Sequence, residues 1–319
     1  MILNMAKTRK RQSKSTTKKK RHKQKIISFS AILFFLILLG FHFTFSITTS
    51  THYQSNQQAS LTNTTLYSFP YSILGTKQTK QTDVMVSDYY LVHKNGKKLT
   101  YAKIKFSGQS YYVLAKDLKL KQTNSINTYL EEHHYPKTTF STEYQGFSKQ
   151  AYQNFWKKPR GVIIHDTGNE DSSIDSEVSY MTNNYSSSGV FVHAFIDSNT
   201  ILRIADTNYM AQGAGPYANP YYIQFEMTHE YTADGFARQV GNAAYYTAYM
   251  LKKYNLPITL GQKDGDGTLW THEMVSLYLG GTDHIDPTAY WSSAASEYFG
   301  SDYTIEDFRD LVQAYYNEI

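Results

Sequence analysis

Two stretches of this chain, about a hundred residues apart, hold the side chains best suited to chemistry. In GVIIHDTG (161–168) an apolar run, Val162 to Ile164, delivers His165 to its own C-terminal end, and Thr167-Gly168 turns the chain away. In WTHEMVSLYLGGTDHIDPTAYW (270–291), His272, Asp283, His284 and Asp286 flank a Gly280-Gly281 turn. A strand ending in histidine, with a helix and loop carrying a histidine and an aspartate, offers N/N/O ligands and leaves a fourth tetrahedral position open. Cysteine is absent, so any metal must be held by His, Asp or Glu. The outline is that of a hydrolytic zinc site.

An α/β pattern must position these groups. Strands are expected at 162–164, 190–196, 201–205 and 222–228, and helices at 173–183, 234–254 and 304–316. The helix over 234–254 carries the clearest apolar stripe, Phe236, Val240, Ala244, Met250/Leu251 and Tyr254, and Pro257 follows its end. Strands alternating with helices on one sheet give an α/β sandwich, here assigned to residues 151–319. Within it Glu226 lies between Phe225 and Met227. An isolated carboxylate pointing into a core is costly, so it is expected to face a polar cleft. Asp264-Gly265-Asp266-Gly267 lacks the later ligands of a calcium loop and reads as a turn.

The first half of the chain is organised differently. Residues 1–25 hold 11 of the 32 Lys+Arg and no acid, so the remaining 21 bases face all 27 acids, a net charge of −6. The formal +5 therefore belongs to a tail, and a nucleic-acid partner is not indicated. Residues 26–47 contain no Asp, Glu, Lys or Arg. As a helix they would reach roughly 33 Å, enough for a bilayer core of about 30 Å. The expectation is a transmembrane anchor with residues 1–25 as a cytoplasmic tail and everything after residue 47 outside the cell. The rival reading is a cleaved signal peptide and a secreted protein, although no A-x-A-like site follows the run. Residues 48–65, rich in Ser, Thr, Gln and Asn, read as a linker. Residues 66–121 read as a small all-β module with a hairpin turn at Lys94-Asn95-Gly96-Lys97. Its GQSYYVLAKDLK segment resembles the SH3-like modules of Gram-positive cell-surface proteins, with wall binding and plain spacing as equal alternatives. Residues 122–150 read as a connector.

From about residue 159 onward the chain resembles the type 2 N-acetylmuramoyl-L-alanine amidase family, in particular the amidase domain of staphylococcal-type autolysins. The runs that carry the resemblance are IIHDTGNEDSSIDSEVSYM, FVHAFID, ADTNYMAQGAG, NPYYIQFEMTHE and WTHEMVSLYLGGTDHIDP. The resemblance implies a mixed central β-sheet flanked by helices and a zinc-dependent hydrolase that cuts the amide between N-acetylmuramic acid and L-alanine in peptidoglycan. It implies His165, His272 and Asp286 as zinc ligands and Glu226 as the base that accepts a proton from water. It also implies His284 as a cationic donor to the oxyanion or leaving amine. Thr167 and His193 are possible substrate contacts, His193 being equally readable as a structural histidine, and His229 reads as surface. Val192 stands where some relatives have a tyrosine, and Gln212-Gly213 where many have Trp-His. A non-catalytic peptidoglycan-binding protein of the same fold is the competing class, and a monomer is expected.

Overall fold

The computed structural model describes residues 47–94 and 96–319. Within them the chain forms two sheets and six α-helices. The first sheet is built from β1 (Ile47–Leu61), β2 (Thr64–Tyr67), β3 (Gly75–Gln78), β4 (Thr82–Lys94), β5 (Lys97–Phe106), β6 (Gln109–Leu114) and β7 (Leu118–Leu120). Their order in space is β3-β2-β6-β5-β4-β1-β7. The second sheet contains β8 (Phe140–Thr142), β9 (Gly161–Asp166), β10 (Ala194–Ile196), β11 (Ile201–Arg203), β12 (Tyr222–Met227) and β13 (Leu269–Thr271), in the order β13-β9-β12-β10-β11-β8. The helices are α1 (Ser125–Glu132), α2 (Ile174–Ser188), α3 (Ala233–Tyr254), α4 (His272–Tyr278), α5 (Thr288–Phe299) and α6 (Ile305–Glu318).

Three expectations are corrected. No helix among the described residues is long and apolar enough to cross a membrane. Residues 1–25 and 26–46 lie outside the described residues, and Ile47 opens a strand instead of closing a helix. The transmembrane element of the expected fold, and membrane attachment through it, are therefore not supported. The supposed linker, 48–65, is largely β1 and the start of β2. Its period is two: Tyr53, Ala59 and Leu61 are buried, Ser55 and Gln57 half-buried, and Gln54, Asn56 and Gln58 exposed. The pattern is hard to read because Ser and Gln occupy inward positions. Gln57 is satisfied there, its Oε1 accepting from Tyr89 Oη at 3.2 Å. The connector, 122–150, holds α1 and β8. Asn124 caps α1, accepting from Ile126 N at 2.9 Å, and β8 pairs in parallel with β11, extending the second sheet.

The second sheet is the platform for chemistry. β9, β12 and β13 run parallel to one another, with Phe225 opposite Ile164 and Glu226 opposite His165. Helices cover both faces, so these strands are nearly continuous apolar runs. Ile164 joins a cluster with Val240 and Leu251 of α3, while neighbouring Ile163 packs with Trp270 and Val275 on the other side. Thr232 caps α3 by accepting from Gly235 N at 3.0 Å, and Asn255 ends it in the left-handed region. Helix α6 packs against α3 and also reaches β7, and Tyr53 Oη of β1 donates to its Gln313 Oε1 at 2.8 Å. Residues of both sheets share one buried cluster, including Tyr53, Leu61, Val162 and Phe225.

Candidate metal centre

The functional groups gather at the C-terminal ends of the parallel strands, where open α/β sheets place their ligands. His165 ends the apolar run of β9, and Glu226 sits across from it on β12. His272 begins α4 directly after β13, and the side chain of Thr271 caps that helix by accepting from Met274 N at 3.1 Å. Asp286 arrives on the loop between α4 and α5. That loop is tied back to α4 by Glu273 N donating to Asp286 O at 3.0 Å and Ser276 Oγ donating to His284 O at 2.6 Å. His272 and Asp286 are thus delivered as one unit. Gly281, with φ of +80°, lets the loop turn close beside Tyr217 and Pro216, where an added Cβ would meet Tyr217 at 2.9 Å.

His165, His272 and Asp286 form a triangle of potential ligand atoms. The two Nδ1 atoms are 2.9 Å apart, His272 Nδ1 is 3.0 Å from Asp286 Oδ1, and His165 Nδ1 is 3.3 Å from Asp286 Oδ2. A tetrahedral ion with bonds of about 2.0–2.1 Å needs donor atoms roughly 3.3 Å apart, so the triangle is close to the face such an ion requires. The Nε2 of His272 lies 3.0 Å from Thr282 Oγ1, a contact that orients the ring with Nδ1 inward. Burial pushes the His165 pKa down, which keeps the ring neutral and available as a ligand, although Asp286 works against that shift. Burial alone would raise the Asp286 pKa, but its hydrogen bonds with His165 and His272 outweigh burial and hold the carboxyl well below the usual range.

The electrostatics call for a cation. Burial pushes the Glu226 carboxyl well above its ordinary pKa, and the charged neighbours acting on it, Asp286, Asp166 and Glu177, all raise it further. Its Oε2 is buried without a hydrogen-bond partner, as is His165 Nε2. A divalent ion among these groups would supply positive charge, and an N/N/O donor set suits zinc among the common metals.

The cleft around the triangle has a volume of about 1090 Å³. Glu226, His284 and Thr167 line it together with the three potential ligands. His284 is the exposed member, 64% accessible at its side chain; its ring stacks on His272 at 4.5 Å and its Nδ1 lies 3.4 Å from Asp286 Oδ1. Gln212 and Gly213 also line the cleft.

His193 does not belong there. It is fully buried, its Nε2 donating to Tyr209 O at 2.9 Å while its Nδ1 accepts from Gln224 N at 3.0 Å. Both ring nitrogens serve the backbone, so the substrate-contact reading is corrected to a structural one. His229, read from the sequence as surface, lies in the cleft wall. Its Nε2 donates to Asp166 Oδ1 at 2.9 Å and its ring stacks on Tyr290 at 4.0 Å. Thr282 and Asp166 were also not singled out by sequence reasoning. The only sequence signal for either is adjacency, Asp166 following His165 and Thr282 lying four residues before Asp286.

The chain is similar to known proteins over the part that carries this cleft. The N-acetylmuramoyl-L-alanine amidase family profile matches residues 155–289. Protein Ami of Listeria monocytogenes is 42% identical over 168 residues, covering 52% of this chain and 18% of that protein. The bifunctional autolysin of Staphylococcus epidermidis is 39% identical over 197 residues, covering 61% of this chain and 14% of that protein. This chain thus spans less than a fifth of the length of either relative. The crystal structure of Staphylococcus aureus hydrolase AmiA in complex with its ligand is 38% identical with a TM-score of 0.56, covering 61% of this chain and 92% of that one.

Proposed function

We infer that this chain, which belongs to the type 2 N-acetylmuramoyl-L-alanine amidase family, is a zinc-dependent hydrolase of the amide joining N-acetylmuramic acid to the L-alanine of the peptidoglycan stem peptide. The observation that carries the metal dependence is the His165–His272–Asp286 triangle beside an uncompensated Glu226. Those three residues would hold the ion, and Thr282 fixes the ring of His272. When bound there, zinc would supply Lewis acidity toward the scissile carbonyl and the attacking water.

The remaining work falls to the chain's own groups. Glu226, half-buried at the cleft floor opposite His165, accepts the proton of the attacking water and is positioned to pass it to the departing alanine nitrogen. His284, exposed at the cleft edge, donates a hydrogen bond to the oxygen that becomes negative as the carbonyl carbon turns tetrahedral. Stacking on His272 holds the imidazole over the metal-binding face. Thr167, on the turn after β9, lines the cleft and is assigned as a contact for the substrate.

The test is digestion of purified muropeptides with the full chain, read by mass spectrometry. The expected products are free stem peptide beginning at L-alanine and intact glycan. A chelator abolishes the cut and added zinc restores it. Glu226→Gln is expected to retain zinc and lower kcat by about a hundredfold or more. Binding of muropeptides without cleavage in the zinc-loaded wild type sinks the enzymatic reading and leaves a binding protein of the same fold.

A further inference from the structure

We propose that His229 is a positioning residue that holds the Asp286 carboxylate in its metal-binding orientation by locking together three separate pieces of chain. The inference rests on the metal site of the proposed amidase. It starts from Asp166, whose backbone N–H donates to Asp286 Oδ2 at 3.3 Å. Asp166 is the last residue of β9, where the strand passes into a turn whose shape bears on the aim of that N–H. The Asp166 side chain sets the shape: its Oδ1 accepts from Gly168 N at 2.8 Å and from His229 Nε2 at 2.9 Å. Gly168 has φ of +60°, the left-handed geometry of a tight turn closed by an aspartate.

His229 is in turn held from the other side. Its ring lies flat on that of Tyr290, with centroids 4.0 Å apart and planes 2° from parallel. Tyr290 belongs to α5, four residues after Asp286 on the same segment. Its hydroxyl donates to Gln239 Oε1 at 2.7 Å and accepts from Glu230 N at 3.0 Å. Gln239 lies in the buried part of α3 and donates from Nε2 to Thr228 O at 2.5 Å. The contacts therefore close a ring: Asp286 to Asp166 by a backbone bond, Asp166 to His229 by a side-chain bond, His229 to Tyr290 by stacking, and Tyr290 back to Asp286 along the chain. The ring joins residues 165–168, 228–230 and 286–290, and anchors all of them to α3.

Such a closed set restricts Asp286 more than any one bond could. A ligating carboxylate that must be re-aimed for each binding event loses affinity, which is why partners of metal ligands carry much of a site's metal affinity. His229 lies in the cleft wall yet spends its Nε2 on Asp166, which distinguishes positioning from substrate contact.

The experiment measures the zinc dissociation constant of the full chain by competition with a chromophoric chelator. His229→Phe keeps a ring for Tyr290 and removes the donor to Asp166, whereas His229→Gln keeps a donor. His229→Phe is expected to weaken zinc binding about tenfold to a hundredfold, with KM for muropeptide within twofold of wild type at saturating zinc. His229→Gln is expected to recover most of that affinity. His165→Ala serves as the control that must lose zinc. Unchanged zinc affinity in a folded His229→Phe protein overturns the proposal. So does a raised KM with unchanged zinc affinity, since that places His229 on the substrate, and so does equal loss of melting temperature in both variants without loss of affinity. A wild type that binds zinc but cleaves nothing sinks the amidase reading only, and weakened zinc binding in His229→Phe then still supports the positioning role.

Discussion

Neighbouring residues behave differently in the two sheets. In β9 the adjacent Ile163 and Ile164 are both fully buried, one against Trp270 and Val275, the other against α3. In β1 Tyr53 is buried and bonded to Gln313, whereas Gln54 beside it is exposed. One strand is covered on both faces and the other on one. The difference teaches where each kind of strand shows itself in a sequence. A doubly covered strand is an unbroken apolar run, and the polar groups at its end, His165 and Asp166, stand out against it. A singly covered strand dilutes its apolar signal with polar residues, and when some inward positions are also polar, as at Ser55 and Gln57, it passes for a linker.

Single truncations should reproduce that contrast in stability, and this is the largest effect expected. Ile163→Ala and Ile164→Ala should each cost about 2–5 kcal/mol, with no alternation between them. Tyr53→Ala should cost about 3–5 kcal/mol, and Gln54→Ala should stay within about 0.5 kcal/mol. Urea denaturation of the four variants checks this. If Tyr53→Ala proves as neutral as Gln54→Ala, β1 contributes nothing to the folded core and the linker reading returns.

The same contrast explains which parts of the site were legible. His165 and Glu226 could be singled out from the sequence because each is a polar residue in an apolar strand, His272 and Asp286 because they crowd one short segment, and His284 took its role from the family resemblance; the structure brings all five into one cleft. His193 stayed open between a cleft and a structural role in the sequence, and the strand expected over 190–196 forms only at 194–196. Before that point the alternation rule does not apply, and the ring turns inward to serve backbone groups of Tyr209 and Gln224. The position of His229 depends on a stack with Tyr290, sixty-one residues later, and no local pattern encodes that. The helix in 122–150 was hidden because its eight residues hold too few apolar positions to establish a period.

His193 allows the buried polar side of the comparison to be tested by pH. Burial lowers its pKa from 6.5 to about 4, even though the carbonyl of Tyr209 pulls the other way. Between those values the unfolded chain binds a proton that the folded chain refuses. Stability attributable to His193 is therefore fully present above pH 6.5 and is lost as pH falls toward 4, by about 3 kcal/mol in all. Denaturation midpoints of His193→Gln should fall less steeply than those of wild type over that window. Parallel slopes would show that His193 does not carry the acid sensitivity.

The smallest expected effect concerns the element that composition concealed most completely. Asn124 does two things for α1: its Oδ1 accepts from Ile126 N at 2.9 Å, and its Nδ2 donates to Asp302 O at 2.9 Å. The helix it starts buries Ile126 and Leu130 and sends Asn127 Nδ2 to Asp307 O at 2.8 Å, so the cap supports a packed element and not a solvated strap. Asn124→Ala removes both bonds and should cost about 1 kcal/mol, the usual worth of an N-cap. Asn124→Ser restores an acceptor for the helix but cannot reach Asp302 in the same way, so it should recover most of the loss. A connector with no folded role predicts that both variants match wild type in thermal unfolding. Equal destabilisation of the two would instead assign the effect to the Asp302 contact, making the tether to the segment before α6 the source of stability and the cap incidental.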